Sequence, residues 1–339
     1  MRRGAVFQLL IFAAVVGVIT TVTALYPNWL PPQASEQADR IEYVFWYVTA
    51  ICAAIFSIVG AVLIYSIIKF RAAPGDDSDG PPIHGHTGLE IAWTAVPFLL
   101  VTSMGIFSAV VLARNDRTGD NPLKVDVTAQ QFAWSFKYPQ QKNLATTVLR
   151  LPVNRTVRFH LQALDVIHSF WVPEFSQKQD AVPGIDTYLT VTPNKTGVFP
   201  IICTELCGLG HATMRSTVIV MTEKAWSKWV KAASAATAGG GGANAGKAVF
   251  DQNGCGGCHT FKPANATGKV GPDLDNLAQD AQKAGKPLED FVHESIVDPN
   301  AYIEKGYPAN VMPPTFKSLP KEQLDALVQY LISGSGGAK

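Results

Sequence analysis

Ahead of residue 114 the chain is dominated by apolar runs longer than a soluble core requires. Ala5–Leu25 carries no charge, Tyr43–Ile68 is uncharged for 26 residues, and Ile91–Ala113 for 23. A spanning helix needs about 20 apolar residues, because the hydrocarbon core is about 30 Å thick and a helix rises about 1.5 Å per residue. The second and third runs therefore read as membrane spans. Pro97 inside the third is compatible with one, since packed neighbours satisfy the backbone groups it frees. The hydrophobic fraction of 47% is ordinary, so only its distribution reveals the membrane segment.

The leading run has two readings. Met1-Arg2-Arg3, an apolar stretch and Val22-Thr23-Ala24 suit a signal peptide cut after Ala24, and equally a retained anchor helix. Cleavage is the slightly favoured one. The two firm spans form a hairpin whose loop, Arg71–Glu90, follows Lys69 and is rich in Pro, Gly and Asp. Lys and Arg set orientation, which puts this loop on the cytoplasmic side, although Arg114 and Arg117 follow the second span. Net charge is +1, so neither a nucleic-acid partner nor a highly charged one is expected.

From Leu123 to Met221 the texture turns β-rich. Val125–Thr128, Thr156–Leu161, Asp165–Trp171, Tyr188–Thr192, Val198–Cys203 and Ser216–Met221 alternate with turns built on Pro, Gly and Asn. Short, evenly spaced strands of this kind predict a sandwich or barrel. The Ala/Gly-rich stretch from Ala232 then reads as a linker, with Gly239–Gly242 its most flexible part. Beyond it the pattern is helical, with one helix opening over Ala245–Asp251 and another closing the chain over Pro320–Ile332.

Five cysteines are unevenly distributed. Cys52, inside a span, reads as a small buried hydrophobe. Cys203 and Cys207 fall in Cys203-Thr204-Glu205-Leu206-Cys207-Gly208-Leu209-Gly210-His211-Ala212-Thr213-Met214, on a loop between two predicted strands. Thiolates, an imidazole and a thioether together select copper, and a β-scaffold holds them in one geometry. A mononuclear site needs one cysteine, so the second points to two metals bridged by both sulfurs. Gly208 and Gly210 allow the tight path between Cys207 and His211. A further histidine is required from elsewhere, and His168 in Asp165-Val166-Ile167-His168 is the candidate. A disulfide between Cys203 and Cys207 would not need these neighbours. His160, alone on a strand, is assigned to the core.

Cys255-Gly256-Gly257-Cys258-His259 is a C-x-x-C-H motif. Its thiols attach haem vinyl groups and its histidine becomes the proximal iron ligand. Gly271-Pro272-Asp273-Leu274 and Met312-Pro313-Pro314 follow, and the whole resembles a small class I cytochrome c over about Ala245–Ile332, with Met312 the distal ligand. His293 reads as an ordinary helix residue. Covalent haem attachment occurs outside the cytoplasm, which agrees with a cytoplasmic hairpin loop.

The copper-type run, preceded by the histidine segment and two spans, closely resembles the cytochrome c oxidase subunit II family over about Glu42–Trp229. The resemblance implies a CuA centre in which Cys203 and Cys207 bridge two coppers. His168 and His211 would each bind one, Met214 would be axial, and Glu205 would ligate through its carbonyl. The Glu205 side chain would face subunit I, where the family holds magnesium or manganese. Glu90 would stand at the mouth of a proton pathway, against the plainer reading that it complements a helix dipole.

The architecture so implied is multidomain: a transmembrane helical hairpin, an all-β cupredoxin-like barrel and a small all-α cytochrome c domain. Its bounds would be 1–25 for a signal peptide or extra helix, 41–113 for the hairpin, 120–231 for the CuA domain, 232–244 for a flexible linker and 245–335 for the cytochrome. The function implied is electron transfer from an external donor, through haem c and CuA, to the oxygen-reducing subunit I. That donor would be a cytochrome c or a quinol–cytochrome c reductase. Subunit III and membrane lipid would be further partners, in a bacterial cell membrane with both cofactor domains on its outer face.

One departure stands out: members that accept electrons from a soluble cytochrome c usually carry an aromatic run with a docking tryptophan, and here Gln130-Gln131-Phe132-Ala133-Trp134 places Phe132 at that position. Trp134 reads as core. A copper chaperone would not need Met214 or a haem, a free periplasmic carrier would not need the hairpin, and a nitrous oxide reductase would need a further catalytic domain. Quinol-oxidising relatives lack the copper ligands that are all present here.

Overall fold

The computed structural model describes residues 3–72, 74, 75, 79, 80, 82, 84–238, 243–312, 316, 317 and 319–336. Met1-Arg2 of the leading run, part of the hairpin loop, Gly239–Gly242, and the Pro313-Pro314 pair lie outside them. The chain divides into two units, Met1–Pro32 with Asp39–Asn115, and Gln33–Ala38 with Asp116–Lys339.

The first unit is helical: α1 (Arg3–Leu25), α2 (Glu36–Lys69) and α3 (Thr87–Asn115). All three are long and apolar enough to cross a membrane. The helix of the leading run is what both a signal peptide and an anchor require. Helices α2 and α3 run antiparallel, tied by Arg40 Nη1 donating to Asn115 Oδ1 (3.1 Å) and by the Tyr47 and Ser103 hydroxyls (2.7 Å). Cys52 lies on an exposed face of α2 instead of being packed inside, a correction to its sequence reading. Its helix carries Ile55, Phe56, Ile58 and Val59 exposed as well, as lipid-facing residues would be.

The second unit begins with ten strands in two five-stranded sheets. One sheet has the order β3 (Leu144–Thr146), β2 (Ala133–Tyr138), β1 (Leu123–Gln130), β5 (Val157–Ala163), β8 (Thr187–Val191). The other runs β4 (Leu149–Pro152), β10 (Arg215–Met221), β9 (Gly197–Cys203), β6 (His168–Val172), β7 (Gln177–Ala181). Alternation explains the core. Leu123, Val125, Val127 and Ala129 of β1 are buried, as are Val157, Phe159, Leu161 and Ala163 of β5, which pairs parallel with β1. Trp134, Phe136, Phe159 and Phe170 fill the space between the sheets. Trp134 is core, as the sequence reading had it. His160 is not: it is half-buried between Asp126 (3.3 Å) and Asp186 (3.0 Å), its ring stacked on Tyr188.

Residues 232–238, expected as flexible linker, instead continue α4 (Glu223–Ala238). Alanine is the strongest helix former, so an Ala-rich stretch extends a helix that is already nucleated. Trp229 of α4 packs on Tyr138 (5.5 Å between rings) and under the Arg150 guanidinium (5.1 Å), fixing the helix to the sandwich. The remaining helices are α5 (Ala243–Gln252), α6 (Cys255–Cys258), α7 (Leu277–Ala284), α8 (Leu288–Val297) and α9 (Lys321–Gly334), with a two-stranded β11–β12 ribbon (Thr260–Phe261, Ala266–Thr267). They enclose a second apolar core in which Tyr330 meets Phe250 and Phe261 edge-on.

Candidate metal centre and haem cavity

The copper-type donors converge at one end of the sandwich. Strand β9 ends at Cys203, β6 begins at His168, and Thr204–Met214 loops back into β10. The Cys203 and Cys207 sulfurs stand 3.8 Å apart. A disulfide needs about 2.0 Å, and all five cysteines are free. His168 Nδ1 lies 3.9 Å from Cys203 Sγ, and His211 Nδ1 lies 3.5 Å from Cys207 Sγ. Met214 Sδ is 3.8 Å from Cys207 Sγ, and the Glu205 carbonyl is 3.3 Å from Cys203 Sγ. The six residues named from the sequence are thus brought together. His168, Cys203, Cys207 and Met214 are buried, while the Glu205 side chain is exposed.

Two residues the sequence reading passed over orient this group. Asp165 Oδ1 accepts from His168 Nε2 (2.8 Å), which leaves Nδ1 unprotonated and facing the sulfurs. Gln131 donates its backbone N–H to Asp165 Oδ2 (2.7 Å) and its side-chain amide to the Cys207 carbonyl (2.6 Å). Burial opposes charge on Asp165, yet His168 and the Gln131 and Val166 N–H groups outweigh it and hold the carboxyl below its usual range. Burial likewise opposes ionisation of Cys203, but the neighbouring His168 imidazole and the backbone of Ser169 and Glu205 outweigh it and bring its thiol down. Cys207 is pushed up by burial and by the charge of Cys203 beside it.

The haem motif sits on the short helix α6. His259 donates from Nδ1 to the Pro272 carbonyl (2.8 Å), so Nε2 is the free ligand atom. Burial lowers the His259 pKa and keeps the ring neutral, as an iron ligand must be. Gly271 explains part of the Gly-Pro context: a Cβ there would lie 2.4 Å from His259 Cε1. Cys255, Cys258, His259 and Met312 line one apolar cavity, together with Gln130 and Gln131 from the sandwich. His293 is exposed on α8 and takes no part.

The two constellations share a border. Gln130 and Ala133 pair across the β1–β2 hairpin, leaving Gln131-Phe132 as its turn. The Phe132 ring covers the copper loop so closely that a Cβ on Gly210 would lie 2.4 Å from its Cδ2. On the other side Gly254 and Gly257 rest on Ala133, where added Cβ atoms would approach its methyl to 2.8 and 2.9 Å.

Glu90 belongs to the helical unit. Its Oε1 accepts the His86 N–H (3.1 Å) while His86 Nδ1 accepts the Leu89 N–H (3.2 Å), a reciprocal cap at the start of α3.

A membrane-anchored chain with a thiolate–imidazole cluster on a cupredoxin-like sandwich, followed by a cytochrome c module, defines a narrow class of bioenergetic membrane proteins. Comparison with known families narrows it further. Cytochrome C oxidase subunit II, transmembrane domain, matches residues 20–111; its periplasmic domain matches 145–222; and Cytochrome c matches 243–335. Cytochrome c oxidase subunit 2 of Alkalihalophilus pseudofirmus is 34% identical over 92% of this chain and 90% of that protein. The subunit 2 of a Synechocystis species is 32% identical over 68% of this chain and 82% of the relative. The solved periplasmic domain of subunit II from Bradyrhizobium japonicum aligns at 30% identity with TM-score 0.33, covering 34% of this chain and 96% of that one.

The chain belongs to the cytochrome c oxidase subunit II family. It is subunit II of a haem-copper oxidase, with a cytochrome c domain behind its cupredoxin-like domain, and its family implies subunit I as partner. CuA and haem c are the groups these domains imply, and the donors fit them. His168, Cys203 and Cys207 lie close enough to share a metal, and His259 presents a free Nε2 to a cavity that also holds Met312.

Proposed function

We propose that electrons pass in series along this chain, from an external donor through haem c and a dinuclear CuA centre to subunit I. Cys255 and Cys258 would attach the haem, with His259 proximal and Met312 distal. Cys203 and Cys207 would bridge two coppers, His168 and His211 would each hold one, and Met214 and the Glu205 carbonyl would complete the set. Thiolate-bridged copper and Met/His haem iron each exchange one electron with little rearrangement.

The observation that carries this reading is the pairing of two sulfurs 3.8 Å apart with an imidazole Nδ1 turned toward each. The protein's own work is orientation. Asp165 fixes the His168 tautomer, the Pro272 carbonyl fixes that of His259, and burial of Cys203, Cys207 and Met214 keeps water away.

Further parts follow from the family. The exposed Glu205 carboxylate would reach a magnesium or manganese ion at the subunit I border. Glu90 would serve proton uptake. Both cofactor domains would stand on the outer face of a bacterial membrane, with subunit III in the complex and a cytochrome c or quinol–cytochrome c reductase as donor. Domain bounds of 41–113, 120–231 and 245–335 suit these roles.

Electron paramagnetic resonance of the purified oxidase tests the copper assignment. One unpaired electron shared over two copper nuclei gives a hyperfine pattern no single copper produces. Cys207→Ser abolishes it, because a hydroxyl neither bridges nor ionises as a thiolate does. A full mixed-valence signal in that variant would sink the assignment.

A further inference from the structure

Gln131 occupies a position no ligand list would include, yet it touches both sides of the copper cluster. Its side-chain Nε2 donates to the carbonyl of Cys207 at 2.6 Å. Its backbone N–H holds Asp165 Oδ2 at 2.7 Å, and Asp165 Oδ1 holds His168 Nε2 at 2.8 Å. The same residue lines the haem cavity. Cys207 is followed by Gly208, whose φ of +127° belongs to a backbone region that only glycine adopts freely. A peptide next to such a glycine is easily turned, so the bond from Gln131 is what fixes the orientation of the Cys207 carbonyl.

We propose that Gln131 is a positioning residue for the dinuclear copper centre, holding the Cys207 segment through its amide and the His168 ring through Asp165. The proposal rests on the CuA reading above and deepens it. Two consequences follow from electrostatics. The amide donor draws electron density from a carbonyl beside a bridging sulfur, and donors near a redox centre favour its reduced, more electron-rich state. Losing the donor therefore lowers the copper reduction potential. It also loosens one bridging cysteine, which alters how the unpaired electron is shared.

The side-chain arm can be separated from the backbone arm, because any substitution other than proline keeps the N–H that binds Asp165. Gln131→Met preserves length and removes the donor. Gln131→Glu preserves shape and sets an oxygen against the Cys207 carbonyl. In the purified oxidase each variant is expected to keep the haem c visible spectrum while the copper hyperfine pattern changes and the copper potential falls. Copper retention against a chelator should drop roughly tenfold or more, the usual cost of losing a partner of a metal ligand.

Wild-type hyperfine pattern and potential in both variants would overturn the proposal and leave Gln131 as packing, with the CuA reading intact. Absence of a mixed-valence signal in the unmodified oxidase would overturn the CuA reading and this inference with it. Should Gln131→Met fail to accumulate, the Gln131→Glu spectrum and potential decide by the same criteria.

Discussion

The backbone of Phe132 hydrogen-bonds the sulfur of Cys258, and the ring of the same residue lies over Gly210 of the copper loop. One residue thus touches the haem-attachment motif with its main chain and the copper-type loop with its side chain. The cytochrome domain does not hang free behind the cupredoxin-like domain. It is seated on the β1–β2 turn, where Val270 and Val311 also pack against the sandwich core.

The seat depends on small residues. Gly254 and Gly257 rest on the methyl of Ala133, leaving no room for a larger side chain. Ala133→Phe is expected to unseat the cytochrome domain at an overpacking cost of about 1–3 kcal/mol, which is about 5- to 140-fold in docked population. Stopped-flow reduction should then show slow transfer from haem to copper, with both spectra unchanged. A wild-type rate would place the functional contact elsewhere.

Met312 lines the same cavity as His259, and it packs against the helical core. Met312→Ala is expected to lower the haem potential, by on the order of 0.1 V within the range axial ligands span. It should also open the iron to added ligands such as carbon monoxide. An unchanged visible spectrum and potential would point to a different distal ligand.

Glu90 carries two readings that one substitution separates. Its carboxylate accepts the His86 N–H (3.1 Å), and a glutamine oxygen accepts that N–H equally well. Glu90→Gln therefore keeps the start of α3 and removes only the charge and the titrating proton. Slower oxygen turnover with intact copper and haem spectra is the expected result. Turnover at the wild-type rate would return Glu90 to its capping role.

The six copper-type residues were legible because five of them lie in one twelve-residue loop whose chemistry is local. His168 was found through its own segment. Asp165 stood in plain sight three residues before it, but its hydrogen bond to the ring exists only once β6 turns in. Gln131 and Ala133 gave no signal of these roles, and Pro272 was read only as part of the cytochrome pattern, since each acts through partners distant in sequence. Among strands, β7 escaped because Gln177-Lys178-Gln179-Asp180 has no apolar alternation at the sheet edge, and β3 and β4 because they are short. Strand β2 was passed over although Trp134, Phe136 and Tyr138 alternate with Ser135 and Lys137 at the period of a half-buried strand. The Ala-rich residues 232–238 were read as linker because composition alone does not distinguish a helix extension from a tether.

Phe132 brings the departure from the family and the seated cytochrome together. Relatives served by a soluble cytochrome c usually present a tryptophan here, whereas Phe offers a smaller face and no indole N–H. In this chain the backbone at that position already rests against the chain's own Gly257-Cys258 segment. A fused domain meets its partner at an effective concentration in the mM range, so a modest contact suffices. Truncation after Ala238 would keep α4 whole, with Trp229 still packed on Tyr138, and remove the cytochrome domain. Oxygen consumption with the usual donor should then be lost while the copper signal persists. Adding Phe132→Trp to the truncated oxidase should restore part of the rate with soluble cytochrome c, because the uncovered turn regains a docking indole but not a tether. If the truncated oxidase takes electrons from soluble cytochrome c at the full rate without that substitution, the fused haem is an accessory and Phe132 is as good a landing site as tryptophan.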